Sequence, residues 1–174
     1  MAFDGVDDYV DCGNDASLQL TDNFTAEAWV YPDEFDIHMG IVGKRLGAET
    51  KGWILGRYND NRFVFMSLGT DGEDYVFSDS AYTTSRWYHV VGTYDKDGGS
   101  NNIKIYLNGE QGDQATLAET IDYIDTGPFY IARYPGGGAL GYGLIALVRI
   151  HNRVLSALEI QNHFQREKHL FGVC

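Results

Sequence analysis

The sequence predicts one all-β domain, a two-layer antiparallel sandwich closed by a single short C-terminal helix. Three observations predict it. Strand-length apolar runs recur along the whole chain with short polar gaps between them. The composition holds 21 Gly and 12 Tyr, with only 3 Pro, which suits strands and turns better than helices. The 174 residues, 44% of them hydrophobic, are enough for one sizeable core and too few for two typical domains.

The first long strand reads NFTAEAWVY from Asn23 to Tyr31. Phe24, Ala26, Ala28 and Val30 share one face, and Trp29 and Tyr31 the other. Both faces are substantially apolar, as in an inner strand of a sandwich, and Pro32 ends the run. Further strands are expected at Met39–Lys44 and Gly52–Tyr58. Asn59-Asp60-Asn61 is turn chemistry, and Arg62–Leu68 alternates behind it. Tyr75–Ser78 is a short strand after the turn at Asp71-Gly72. Trp87–Tyr94 and Ile103–Leu107 flank a polar, Gly-rich loop. In the second of these, Ile103, Ile105 and Leu107 alternate with Lys104, Tyr106 and Asn108, the pattern of an edge or outer-sheet strand. Asn108-Gly109 signals a hairpin. Phe129–Tyr134 and Leu144–His151 are the last strands. Trp29 and Trp87, mid-strand among apolar neighbours, are expected in the core, and His89 reads as a core or inter-sheet histidine. The helix follows from Ser156-Ala157-Leu158-Glu159, a capping box with Ser156 as N-cap and Glu159 at N3. Leu158, Ile160 and Phe164 are its expected buried side.

The net charge of −12 repels phosphate backbones and disfavours nucleic acid as a partner. No stretch reaches the roughly 18 apolar residues of a membrane span. Residues 1–174 read as a single domain excised from a larger protein, secreted or surface-exposed. Cys12 and Cys174 lie near opposite ends. Two cysteines make no framework, so free thiols are expected. A disulfide is the alternative, because compact domains often bring their termini together. Asn23-Phe24-Thr25 is a glycosylation sequon.

Several segments resemble the laminin-G-like, concanavalin A-like jelly-roll superfamily. Phe3-Asp4-Gly5-Val6-Asp7-Asp8-Tyr9-Val10 is similar to its opening strand, and Phe24–Pro32 (FTAEAWVYP) to its second. Trp87–Asp95 (WYHVVGTYD), followed by Ile105–Glu110 (IYLNGE), looks like its central hairpin. Gly143–Ile145, Val148–Ser156 and Glu159-Ile160 resemble its closing signature. The resemblance spans about residues 3 to 165 and implies a jelly-roll sandwich. It leaves function open, because the family includes sugar-binding modules, adhesion domains and pentraxins, and the fold also hosts glycosidases and lyases.

Hydrolases of this fold carry their carboxylates on one strand as Glu-x-Asp-x-x-Glu, and that motif is absent here. Glu73-Asp74 are adjacent and point to opposite faces. Glu119, Asp122 and Asp125 lie three apart in a loop. The chain is therefore read as a non-enzyme. Family members often hold a structural calcium ion where the first and last strands meet. Asp4 and Asp8 are the candidate ligands, with Asp7 and Asp11 near, since calcium takes six to eight oxygen ligands. The family's closing strand commonly reads Ile-Asp-Glu-Val-Arg-Ile; here Ala146 and Leu147 stand where both carboxylates would be. The loop Tyr134–Ala139 lacks the oxygen ligands of pentraxin-type recognition.

Sugars are bound by aromatic faces with amide and carboxylate partners. Tyr58, Asn59, Asp60, Asn61, Arg133, Tyr134 and Tyr142 form the candidate binding set, with Tyr82 near and glycines 136–138 leaving room for a ligand. The reading is a non-catalytic carbohydrate-binding or adhesion module of a secreted or surface protein, with a glycan or protein ligand. The alternative is a structural or protein-interaction domain of a larger surface or viral protein.

Overall fold

The computed structural model describes residues 1–34, 38–45, 52–69, 72–117, 120–121, 127–134 and 142–174. Its strands are β1 (Ala2–Asp4), β2 (Val10–Asp11), β3 (Asn23–Pro32), β4 (Met39–Arg45), β5 (Gly52–Arg57), β6 (Phe63–Gly69), β7 (Gly72–Phe77), β8 (Tyr88–Asp95), β9 (Ile103–Leu107), β10 (Glu110–Ala115), β11 (Tyr130–Ile131) and β12 (Tyr142–His151). Helix α1 (Ala157–Glu167) follows, and short 3₁₀ turns lie at Ala16–Leu18 and Lys168–Phe171.

The strands form two six-stranded sheets. The first has the order β1-β12-β3-β8-β9-β10 and the second β2-β11-β4-β5-β6-β7. All recorded pairings are antiparallel. The alternation in β3 places Phe24, Ala26, Ala28 and Val30 between the sheets, where they meet Trp53, Leu55, Phe63 and Phe65 of the second sheet. The approach is close at Gly92 of β8. A Cβ built there would lie 2.4 Å from the Phe65 ring, so only glycine lets that ring sit against the strand.

The opening segment Phe3–Val10 is not one strand. It crosses from the first sheet to the second through a turn at Gly5, whose φ is +76°. Asp4 closes that turn by accepting from the Val6 N–H at 2.9 Å, and Asp8 accepts from the Asp4 N–H at 3.2 Å. The Asn108-Gly109 hairpin joins β9 to β10. Both residues have positive φ, 52° and 82°, the type I′ geometry that matches strand twist. This makes β9 an interior strand rather than an edge. The edge is β10, whose EQGDQA sequence has no apolar alternation to announce it.

Helix α1 lies on the outer face of the first sheet as a third layer. Ile160 packs there with Val91, Tyr106 and Leu155. The capping box forms as expected: Ser156 Oγ accepts from Glu159 N–H, and Glu159 accepts from Ser156 N–H. Leu158, expected to be buried, is 66% exposed. Ile160 and Phe164 share the inward stripe at i, i+4 spacing, and a residue two before Ile160 points away from it.

One other expectation is corrected. Trp87 precedes β8 and is only half-buried, against Tyr31 and Phe171 on the outer side, with ring centroids 5.5 and 4.7 Å away. Trp29 is fully buried, as expected of a core residue, and lies beneath the C-terminal segment. It stacks on Phe171 at 4.2 Å and donates from Nε1 to Glu167 at 2.8 Å. His89 likewise lies on the outer side of its sheet. Cys12 and Cys174 are exposed free thiols. In the sequon, Phe24 and Thr25 are buried, and Asn23 holds the Lys96 N–H at 2.8 Å, so the motif is locked into β3.

Candidate functional site

The outer face of the second sheet is apolar where a solvated face would be polar. Outward positions of β5 and β6 place Ile54, Val64 and Met66 side by side. Tyr58, Tyr75, Phe77 and Tyr134 pack around them. His38 joins from the segment before β4. Its ring stacks on Tyr58 at 4.4 Å with planes 26° apart, and lies 6.2 Å from the Tyr134 ring. Tyr58 meets Phe77 edge-on at 5.3 Å and Tyr75 at 6.1 Å. Together they form a cluster of half-buried aromatic rings over an aliphatic floor. Such a patch on a soluble domain marks a contact surface more often than chance, and tyrosines present a flat apolar body with a polar tip.

The fold explains how Tyr58 and Tyr134 meet. Tyr58 follows β5, and Tyr134 follows β11. Strand β11 pairs with β4, and β4 with β5, so strand ends distant in sequence fall on one face. The other expected site residues fare differently. Asn59 and Asp60 are exposed on the turn after Tyr58. The Asp60 carboxylate accepts from the Arg62 N–H at 3.1 Å and from Arg62 Nε at 2.7 Å, so it shapes the turn. Although partial burial works to raise its pKa, these contacts to Arg62 hold it below the ordinary carboxylate value. Asn61 takes the left-handed conformation, φ 63°, and its carbonyl accepts from Tyr82 N–H at 2.7 Å. Arg133 turns away from the patch, toward β2, and sits over Tyr9 and Tyr130 at 4.5 and 4.7 Å. Tyr142 is exposed at the start of β12, opposite Asp4. Tyr82 is 1% exposed and belongs to the core. Glycines 136–138, most of the loop Tyr134–Ala139, Glu119, Asp122, Asp125 and the side chain of Glu73 lie outside the described residues. Sequence reasoning missed His38, Tyr75 and Phe77. The i, i+2 spacing of Tyr75 and Phe77 placed them on one face of a strand, and nothing local marked His38.

Asp4, Asp7 and Asp8 do converge. Their carboxylate oxygens lie within 4.8 Å of one another, and all three residues are exposed. The register sets Asp4 against Tyr142 and Ala2 against Leu144. Ala146 is four residues along β12 from Tyr142, about 13 Å at strand rise. Positions 146 and 147 therefore sit at the far end of the β1–β12 pairing from this triad. Carboxylates there would not have shared an ion with Asp4 and Asp8.

A second concentration of ionisable groups lies on the outer face of the first sheet, centred on Glu27. His89 Nε2 and His163 Nδ1 lie 3.1 Å from its Oε2, and His151 Nε2 lies 2.9 Å from Oε1. Arg149 Nε is 2.6 Å from Oε1, and the same guanidinium grips Glu167 at 2.6 and 2.9 Å. Burial alone would raise the Glu27 pKa. The contacts from His89, His151 and His163 and the charge of Arg149 outweigh it and hold the carboxyl well below the usual range.

Residues 4–161 match the family described as the concanavalin A-like lectin/glucanases superfamily. No curated protein sequence matches the chain. Among solved structures, domain 4 of AbnA, a GH43 extracellular arabinanase from Geobacillus stearothermophilus in complex with arabinotriose, superposes with a TM-score of 0.69 at 17% identity, covering 83% of this chain and 68% of that one. The botulinum neurotoxin serotype G binding domain gives 0.72 at 15% identity, over 95% of this chain and 42% of that one. The heptameric SAP-like pentraxin of Limulus polyphemus gives 0.64 at 14% identity, over 92% and 78%. At these identities the likeness is one of fold.

Proposed function

From its membership of the concanavalin A-like lectin/glucanase superfamily, to which this chain belongs, we propose that it is a non-catalytic carbohydrate-binding module of a secreted or surface protein. The observation that carries this reading is the aromatic patch of His38, Tyr58, Tyr75, Phe77 and Tyr134 over Ile54, Val64 and Met66. Tyrosine rings offer apolar faces to the C–H side of a pyranose, and their hydroxyls offer hydrogen bonds to its rim. Asn59 and Asn61, on the adjoining turn, add amide partners. Loops on a rigid sandwich are where binding groups are commonly placed.

The same patch argues for binding rather than hydrolysis. Glycoside hydrolysis needs two carboxylates about 5–9.5 Å apart across the scissile bond. Among the described residues, those lining the cleft between Tyr58 and Tyr134 include no carboxylate. The arabinotriose complex of AbnA domain 4 supports the reading by showing a sugar held on a related fold.

A glycan array with the purified domain, followed by calorimetry on any hit, tests this. Tyr58→Ala and Tyr134→Ala should each weaken binding at least several-fold. Because both rings are half-buried, the melting temperature of each variant is measured alongside. Unchanged affinity in both variants refutes the site. No glycan bound at all favours a protein-interaction domain.

A further inference from the structure

The Glu27 cluster holds the donor set of a metal centre. Glu27 comes from β3, His151 from β12 and His163 from α1, and one ligand atom from each lies within 4.8 Å of the others. We propose that these three residues bind a divalent transition metal, zinc by preference, which staples the C-terminal helix to the first sheet.

Ligand chemistry selects the ion. Two imidazole nitrogens and one carboxylate oxygen suit zinc and its neighbours, whereas calcium and magnesium want oxygen alone. Zinc holds such ligands tetrahedrally at about 2.0–2.2 Å, so two ligand atoms on one ion lie about 3.3–3.6 Å apart. The observed spacing, within 4.8 Å, needs a closure of up to about 1.5 Å. As hydrogen-bond donors, His151 and His163 present ring N–H groups to the carboxylate. Each neutral ring has a second tautomer that turns a lone pair to the same point, and a metal ion there takes the place of the protons.

Charge and access agree with this. Glu27 and Glu167 carry two negative charges against the single positive charge of Arg149, so with neutral histidines the cluster is left with one negative charge to compensate. Arg149 need not leave, because its fork on Glu167 anchors it beside Glu27 as an outer support of the kind metal ligands use. The carboxylate is fully buried, while the His151 and His163 side chains are 26% and 29% exposed, which gives an ion a way in. His89 is fully buried, and its Nδ1 has no hydrogen-bond partner. Its Nε2 stays on Glu27 Oε2 and holds the carboxylate in position.

The test uses the full chain stripped of metal with a chelator, then titrated with zinc chloride by calorimetry at neutral pH. One ion should bind per chain, with a rise of several degrees in melting temperature, since binding to the folded form alone is stabilising. His151→Gln and His163→Gln should each weaken binding by about tenfold or more. His169→Gln, at an exposed histidine of the same terminal segment, should leave it unchanged. Zinc should also move the imidazole NMR signals of His151 and His163 in the unmutated protein and leave those of His169 in place. This readout needs no variant to fold. Affinity weaker than about 100 μM, binding that survives both glutamine variants, or signals of His151 and His163 that stay put would each overturn the proposal.

Discussion

Replacing Glu27 by glutamine keeps the side-chain shape and removes the charge on which the outer face of the first sheet converges. Four groups point at that carboxylate: His89, His151, His163 and Arg149. A hydrogen bond to a charged group contributes about 1.5–3 kcal/mol net, so the three from the histidines would total about 4.5–9 kcal/mol if independent, with the Arg149 ion pair beside them. They are not independent. They share two oxygens, two of the histidines are partly hydrated, and Arg149 keeps its second partner, Glu167. His89 loses most, since it is buried with no partner at its other nitrogen. The applicable figure is that of breaking a buried ion pair, about 3–5 kcal/mol. With a urea slope of about 2 kcal/mol/M, the unfolding midpoint should fall by about 1.5–2.5 M. The measurement is made in chelator, so that bound metal does not contribute.

The pH dependence of that loss follows from the direction of the shift. The Glu27 carboxyl is held well below its ordinary value in the folded chain, against about 4.3 when unfolded. Stability from the ionised group is therefore fully present above the unfolded value. It is lost as pH falls from there toward the depressed folded value. The gap between the parent and Glu27→Gln should be wide above about pH 5, begin to narrow near about pH 4 and close only toward the depressed folded value. A gap below about 1 kcal/mol at neutral pH, or one that widens on acidification, would refute the account of this cluster.

Trp29→Ala should cost about 3–5 kcal/mol, as truncation of a fully buried aromatic does, whereas Trp87→Ala, at a half-buried ring, should cost about 1–2 kcal/mol. Equal losses in denaturant unfolding would count against the burial difference. Gly92→Ala drives a methyl into the Phe65 ring and should destabilise by about 1–3 kcal/mol, seen as a lower melting temperature; a neutral result would mean the two sheets have slack at that point. We further propose that any calcium held by Asp4 and Asp8 is structural. Melting in millimolar calcium and in chelator should then differ by a few degrees at most, and a much larger shift would require ligands beyond this exposed triad.

The strands were legible wherever a core demanded period-two alternation. The run from Asn23 to Pro32 buries one face between the sheets and the other under α1, and both faces read as apolar. Where no core makes that demand the signal fails. Strand β10 is polar on both sides, so it can be inferred only from the Asn108-Gly109 turn that precedes it. Trp87 misled because indole fits a buried wall and a half-open groove equally well, and only the terminal Phe171 distinguishes them. In the candidate binding patch, residue type pointed to Tyr58 and Tyr134. Their adjacency depends on β11 docking beside β4, a long-range pairing that no local pattern carries.

Glu27 shows where more could have been read. A carboxylate flanked by Ala26 and Ala28, on a strand apolar on both faces, cannot stay charged unless basic groups reach it. That much follows from ten residues. The partners do not, because His89, His151 and His163 stand 62, 124 and 136 residues away and arrive on two neighbouring elements and a helix laid across them. Local chemistry states the need for a counter-charge, and topology alone decides that three imidazoles meet it, two of which, His151 and His163, can exchange their protons at that point for a metal ion.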